Sequence, residues 1–223
     1  MDALDTMGGT GRRRLLLEGM QLHEKTPPQQ GLPPAALDLG VELPPLHDDR
    51  IEDAIRAAIR WHARSVILPQ VTAAAMLQHL DVLLTVIEAE ENQPGAPLRI
   101  AACPADTAEG AFFARDFRRM SGRLEALIWD GPAFCRATGI TARDAKGEEP
   151  ETLRTARSLF LLSAKAAGLF AIDTAPATEE GASGDPEAFA AECQFVRQLG
   201  FDARIAMLAF QAPIIEAAFT VPG

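Results

Sequence analysis

"GFDARIAMLAFQAPIIEAAF", residues 200–219, is the stretch on which the fold turns. A Gly-Phe turn leads into a short apolar run that reads as a strand, and Gln211-Ala212-Pro213 then opens a helix that closes on Phe219. Proline is tolerated in the first turn of a helix, where the N–H it lacks has no intrahelical partner anyway. The segment is therefore strand, loop and helix, and the loop over 206–211 offers Gln211 as its only polar side chain.

The same unit recurs upstream. Apolar runs at 13–19, 35–41, 65–71, 97–103, 123–130 and 169–175 read as strands. Helical periodicity fills 50–63, 72–91, 106–120, 131–140, 153–167 and 186–198. In 50–63, Ile51, Ala54, Ile55, Ala58 and Ile59 recur at the spacing of one helix face, with Asp48 or Asp49 as the expected cap. Asp185 is the expected cap of the helix over 186–198. Strands that alternate with helices predict an α/β fold with a parallel sheet. About seven such units with no long linker predict one domain over 1–223, a (β/α) barrel or an incomplete one. Residues 1–12 read as flexible. A doubly wound open sheet is the alternative, but "LLLEGMQLHE" lacks the glycine-rich phosphate turn such a sheet carries after its first strand.

Composition narrows the function classes. The net charge of −10 argues against nucleic acid and anionic membrane as partners, since both attract basic surfaces. The leucine run after Arg12–Arg14 is too short for a signal-peptide core or a membrane span. Cys103, Cys135 and Cys193 are odd in number and lack metal-ligand spacing, which fits buried thiols in a reducing cytoplasm. The four histidines, at 23, 47, 62 and 79, have no ligand spacing either. His47 beside Asp48 and Asp49 has the form of a base with an orienting carboxylate, and equally that of a polar surface loop.

In a parallel barrel, catalytic groups gather where strands end at the C-terminal edge. Those positions here are Asp38, Glu42, Gln70, Cys103, Asp130, Asp173 and the stretch 208–211. Asp38, Asp130 and Asp173 on one rim would suit a hard divalent cation. Aspartates at such positions also cap the loops and helices that follow, and the residues alone leave both readings open. Cys103 is a candidate nucleophile with no histidine nearby in sequence to activate it.

With the strand ends laid out, the chain resembles the HpcH/HpaI aldolase and citrate lyase beta-subunit superfamily over nearly its whole length. "SVILPQV" is similar to that family's apolar strand ending in Pro-Lys-Val, and "LRIAACPADTAEGAFFARDF" to its strand ending in Ile-Glu-Thr or Ile-Glu-Ser. "RLEALIWDGPAFCRATGI" resembles Leu-x-Ala-Leu-x-Phe-Gly-x-Glu-Asp followed by Leu-Gly-Ile. "ARSLFLLSAKAAGLFAIDTAPA" resembles the helix and strand that end in Ile-Asp. Residues 200–219 resemble Gly-Phe-x-Gly-Lys-x-x-Ile-His-Pro-x-Gln-Ile. "RRRLLLEG" and "ALDLGVEL" stand where the family has Arg-Ser-x-Leu-Phe-Val-Pro-Gly and Leu-Asp-Leu-Glu-Asp-x-Val.

The resemblance implies an α/β fold of the (β/α)8 TIM-barrel-like type, here short of one strand–helix unit, that forms oligomers, binds Mg2+ and makes or breaks carbon–carbon bonds in hydroxyacids or their CoA thioesters. The metal would act as a Lewis acid on a substrate carbonyl. The chemical positions depart from that pattern. Cys103 stands at the metal-binding Glu, Ala133 at the metal-binding Asp, Pro132 at the Glu before it, and Gln70 at the Lys of Pro-Lys-Val. Arg204 replaces the Lys after the Gly-Phe turn, and Leu208 and Ala209 replace His and Pro, leaving Gln211. Gly168, Gly200, Phe201 and Phe219 keep the scaffold.

The leading expectation is therefore a catalytically degenerate lyase-like protein acting by association, as a homo-oligomer, with no metal at Cys103 and Ala133. Two alternatives stand beside it. One is a divergent lyase whose Mg2+ ligands have moved to Asp38, Asp130 and Asp173. The other is a module for a small carboxylate or an acyl-CoA, gripped by Gln70, Arg204 and Gln211. Asp38, Cys103 and Asp173 are the candidate catalytic residues.

Overall fold

The strand segments are short and apolar on both faces, the pattern of parallel strands covered on each side. A computed structural model of the chain describes residues 13–17, 37–92, 95–113, 117, 120–145, 147–176, 185–208 and 210–219, with side chains left out at 13–17, 37–39, 112 and 113. The expectations for residues 1–12 and for Ala209, and the side chain of Asp38, lie outside the described residues.

The described residues form seven strands and seven helices in the order β1 (Arg13–Leu17), β2 (Leu37–Glu42), α1 (Ile51–Arg60), β3 (Ser65–Leu68), α2 (Ala74–Glu90), β4 (Arg99–Ala102), α3 (Ala108–Phe113), β5 (Leu124–Trp129), α4 (Gly131–Thr138), α5 (Glu151–Ala166), β6 (Phe170–Thr174), α6 (Pro186–Leu199), β7 (Ala203–Ile205) and α7 (Gln211–Phe219). The strands form one sheet in sequence order, and each pairs in parallel with the next. The sheet curls until β1 and β7, its two ends, approach within 8 Å Cα to Cα. This is a TIM-barrel-like architecture, with seven parallel strands among the described residues. No helix among the described residues is long and apolar enough to cross a membrane.

Alternation along the strands separates two of the core's clusters. Ile67, Ala101, Cys103, Ala126, Ile128, Ile172 and Ile205 form a cluster made of strand and strand-end residues, which fills the concave interior. Val66, Leu68, Ile100, Ala102, Leu127, Trp129 and Ala171 face the other way, into a larger cluster with Ile55, Leu77, Leu80, Leu84 and Phe160 of the helices. Trp129 packs there between Phe134 of α4 and Phe160 of α5, with ring centroids 5.0 and 5.5 Å away. A bulge between Ile100 and Ala101 shifts the β4–β5 register.

Helix ends follow the expected chemistry at two of three caps. Asp185 accepts from the Glu187 N–H (2.9 Å) at α6, and Asp130 accepts from the Ala133 N–H (2.8 Å) at α4. At α1 the expectation is corrected, because Arg50 is the N-cap and no side chain caps the helix. Asp48 instead accepts from the N–H and the guanidinium of Arg50, which draws its carboxylate away from the helix. Gly200 ends α6 at φ +109°, a left-handed conformation that a Cβ would strain. The helix expected over 106–120 begins at Ala108, and its described part is Ala108–Phe113. Thr107 starts it, its Oγ1 accepting from the Gly110 N–H at 3.0 Å.

Candidate functional site

The C-terminal rim of the sheet is built from the residues that follow each strand. Cys103 ends β4 with its side chain in the concave cluster, 7% exposed. Its N–H donates to Leu68 O (2.8 Å) and its carbonyl accepts from the Val71 N–H (3.3 Å), so the β3 and β4 ends are laced together. Burial holds the Cys103 thiol well above its ordinary range, and the nearby carboxylates Asp106, Asp130 and Glu42 push it the same way. This is a protonated thiol facing acids, the opposite of the electropositive setting that activates a cysteine.

Gln70 lies exposed just past β3 with φ +54°, a left-handed conformation unusual outside glycine. Its N–H donates to Oδ2 of Asp106 at 2.7 Å, across 36 positions of sequence. The other carboxylate oxygen, Oδ1, is buried with no hydrogen-bond partner. Burial raises the Asp106 carboxyl to about 6, Asp130 adds to the effect, and the Gln70 N–H opposes it. Asp106 is the rim residue that the sequence did not single out; it stands three positions past the strand-end Cys103 and reads there as the start of a helix.

Other expected site residues have different tasks. Asp130 caps α4 through Ala133, which is itself half-buried and offers a methyl group. Asp173 and Arg204 occupy the outward parity of β6 and β7, since Ile172 and Ile205 take the inward one. Arg204 is 4% exposed. Its Nε lies 2.9 Å from Oδ2 of Asp173, its guanidinium also pairs with Glu192, and it donates to Cys193 Sγ at 3.5 Å. The Phe189 ring stacks under it, 5.1 Å from the centroid. Arg204 thus stays charged between the sheet and α6. Burial raises the Asp173 carboxyl to about 6 even though Arg204 draws it down, for Arg204 is shared with Glu192.

Gln211 is fully buried. Its Oε1 accepts from the Met207 (2.8 Å) and Leu208 (3.0 Å) N–H groups, and its Nε2 donates to Pro176 O (2.9 Å). All of its polar atoms are thereby committed to holding the β7–α7 loop against the end of β6. Of the three residues expected to grip a ligand, Gln70 alone presents an exposed side chain at the rim. Asp130 is engaged with the Ala133 N–H at the start of α4, and Asp173 with Arg204 on the helix-facing side of the sheet. Among the described residues, no three of His, Cys, Asp and Glu form a group that could hold a metal ion.

The cation that the resemblance implies can be tested against its donors. Mg2+ takes oxygen ligands in near-octahedral order. Cys103 supplies a protonated sulfur and Ala133 no donor atom, so these residues do not fit it.

Comparisons with known proteins bear on the fold and the family. The citrate lyase subunit beta of Leuconostoc mesenteroides subsp. cremoris is 30% identical over 150 residues, 67% of this chain, and the chain spans about half (47%) of that curated relative's length. A citrate lyase beta subunit from M. tuberculosis, solved with oxaloacetate and magnesium, superposes with a TM-score of 0.68 at 19% identity over 96% of this chain and 98% of that one. RipC from Yersinia pestis gives 0.67 at 20% identity over 95% and 96%. These two likenesses speak for the fold. The model of the HpcH/HpaI aldolase/citrate lyase family matches residues 29–209. The chain belongs to the HpcH/HpaI aldolase/citrate lyase family.

Proposed function

We propose that this chain keeps the scaffold of its family without the metal-dependent carbon–carbon lyase reaction, and that it acts by association in a reducing cytoplasm. The observation that carries this reading is the donor set at the rim, where a buried, protonated Cys103 and the methyl of Ala133 stand at the positions of the two metal-binding carboxylates. Relocated ligands are disfavoured because Asp173 faces outward and is held by Arg204. A site for a small carboxylate or acyl-CoA is disfavoured because Arg204 is already paired and buried.

Association with copies of itself is the form we favour. Leu159 and Leu162 of α5, Phe195 of α6, and Val82 and Val86 of α2 are 48–65% exposed, apolar surface that a partner would cover. The net charge of −10 supports a protein partner over nucleic acid or anionic membrane.

The test is calorimetric and enzymatic. Titration with Mg2+ and Mn2+ is expected to give no binding heat, and incubation with a hydroxyacyl-CoA thioester no cleavage product. Tight Mg2+ binding together with turnover would overturn the proposal.

A further inference from the structure

Two loops at the rim are tied together more firmly than a surface connection needs. Gln70 sits at φ +54° without a glycine's freedom, and such a conformation persists only where its surroundings over-determine it. Here the surroundings are specific. The Asp106 carboxylate accepts its N–H, and the next N–H, of Val71, goes to Cys103 O. The next carbonyl, of Val71, packs so closely on Gly110 that a Cβ there would lie less than 3.0 Å from it and from Pro104 O. Residues 70 and 71 are thus held at three points by the segment 103–110.

One of those points carries a proton site. Asp106 is half-buried and its Oδ1 has no partner; the backbone N–H groups of Gln70 and of Asp106 itself favour its charge, while the ionisable groups around it are acids or a neutral thiol. They are Asp130 at the end of β5, Cys103 at the end of β4, and Glu42, which acts on Cys103 from the end of β2. Glu109 on its own helix is exposed. A hydrogen bond to an ionised carboxylate is about twice as strong as one to a neutral group. The charge that strengthens the bond to Gln70 is the same charge that burial and Asp130 oppose.

We propose that Asp106 is a proton-operated clasp between the β3–α2 and β4–α3 loops, which when ionised holds Gln70 in its left-handed conformation and fixes the side chain at the rim. Protonation weakens the hold and removes one negative charge from the rim. The Gln70 amide is therefore presented rigidly above pH 6 and loosely below it. The clasp is independent of whether lyase chemistry survives.

The experiment is an NMR titration of the full chain from pH 4.5 to 8, following the Gln70 amide. The expected result is a Gln70 backbone amide shift with its midpoint near 6, accompanied on the acid side by lower protection, read as the exchange rate relative to the intrinsic amide rate at the same pH. Asp106→Asn keeps an acceptor oxygen of the same shape and cannot titrate, so its Gln70 shift is expected to stay flat across that range. A wild-type Gln70 amide that does not move between pH 5 and 7 overturns the proposal. So does one that moves equally in Asp106→Asn, since the proton would then belong to a different group. Asp106→Ala, which removes the acceptor, should at pH 8 speed Gln70 amide exchange at least tenfold over wild type; no change would count against the clasp.

Discussion

Arg204 and Asp173 pair across adjacent strands on the helix-facing side of the sheet, Nε to Oδ2 at 2.9 Å, and the guanidinium reaches on to Glu192 of α6. The pair anchors α6 to the β6–β7 edge. Breaking one partner of a buried pair leaves the other charged and unsolvated, at about 3–5 kcal/mol. Arg204 keeps Glu192 as a partner, so Asp173→Ala should lower the urea unfolding free energy by no more than the lower end of that range, about 3 kcal/mol. The double variant Asp173→Leu, Arg204→Met should lose markedly less, and the two single changes are expected to be non-additive.

The rim chemistry gives a gain-of-function expectation. Installing Glu at Cys103 and Asp at Ala133 supplies carboxylates at the two positions whose side chains offer Mg2+ no oxygen. The double variant Cys103→Glu, Ala133→Asp should bind Mn2+ measurably by electron paramagnetic resonance, whereas the natural chain should not. Equal binding by both would place the donors elsewhere.

Acid–base behaviour of the fold follows from Asp106. Its carboxyl holds its proton to about 6 in the native state and releases it near 3.8 when unfolded. Between those values the native state binds more protons, so this group's contribution to stability is complete below about 3.8 and is lost as pH rises through about 6. Thermal unfolding followed from pH 4 to 7 should show a fall of the wild type relative to Asp106→Asn over that interval, and parallel curves above it.

The left-handed residue predicts a stabilising substitution. Left-handed backbone costs a residue with a Cβ about 1 kcal/mol. Gln70→Gly should therefore raise the unfolding midpoint by about 2–4 °C for a chain of this size. No rise, measured by circular dichroism, would mean that the Gln70 side chain supplies a compensating contact.

Gln211 answers to a different measurement. Gln211→Ala deprives the Met207 and Leu208 N–H groups of their acceptor and Pro176 O of a donor. Each orphaned buried group costs about 1–3 kcal/mol, so a loss of about 3 kcal/mol is expected in urea unfolding, together with faster amide exchange at 207 and 208.

Strand order and helix order were legible because each unit alternates a short apolar run with an amphipathic helix, and parallel neighbours follow from that alternation. The inward or outward direction of a strand residue was not. In "FAIDT" both faces are apolar around Asp173, so nothing local tells the interior from the helix side, and a count of one residue decides it. That is why Asp173 and Arg204 read as rim groups while the fold turns both toward α6. Asp106 escaped for another reason. Its significance rests on the backbone angle of Gln70, 36 positions away, and no spacing rule reaches that far. Gln211 was legible as a polar remnant of its loop, but its commitment to three backbone groups depends on how tightly the loop closes.

The ring cluster around Trp129 makes the molecule its own reporter. Tyrosine is absent, and both indoles, Trp61 and Trp129, are buried, at 7% and 2% exposure. All intrinsic emission therefore comes from the interior. Trp129 precedes the α4 cap Asp130 and touches Phe134 and Phe160, so its colour follows the seating of α4 and α5 on β5. Replacing Trp61 with Phe would leave a single optical probe one residue from the rim.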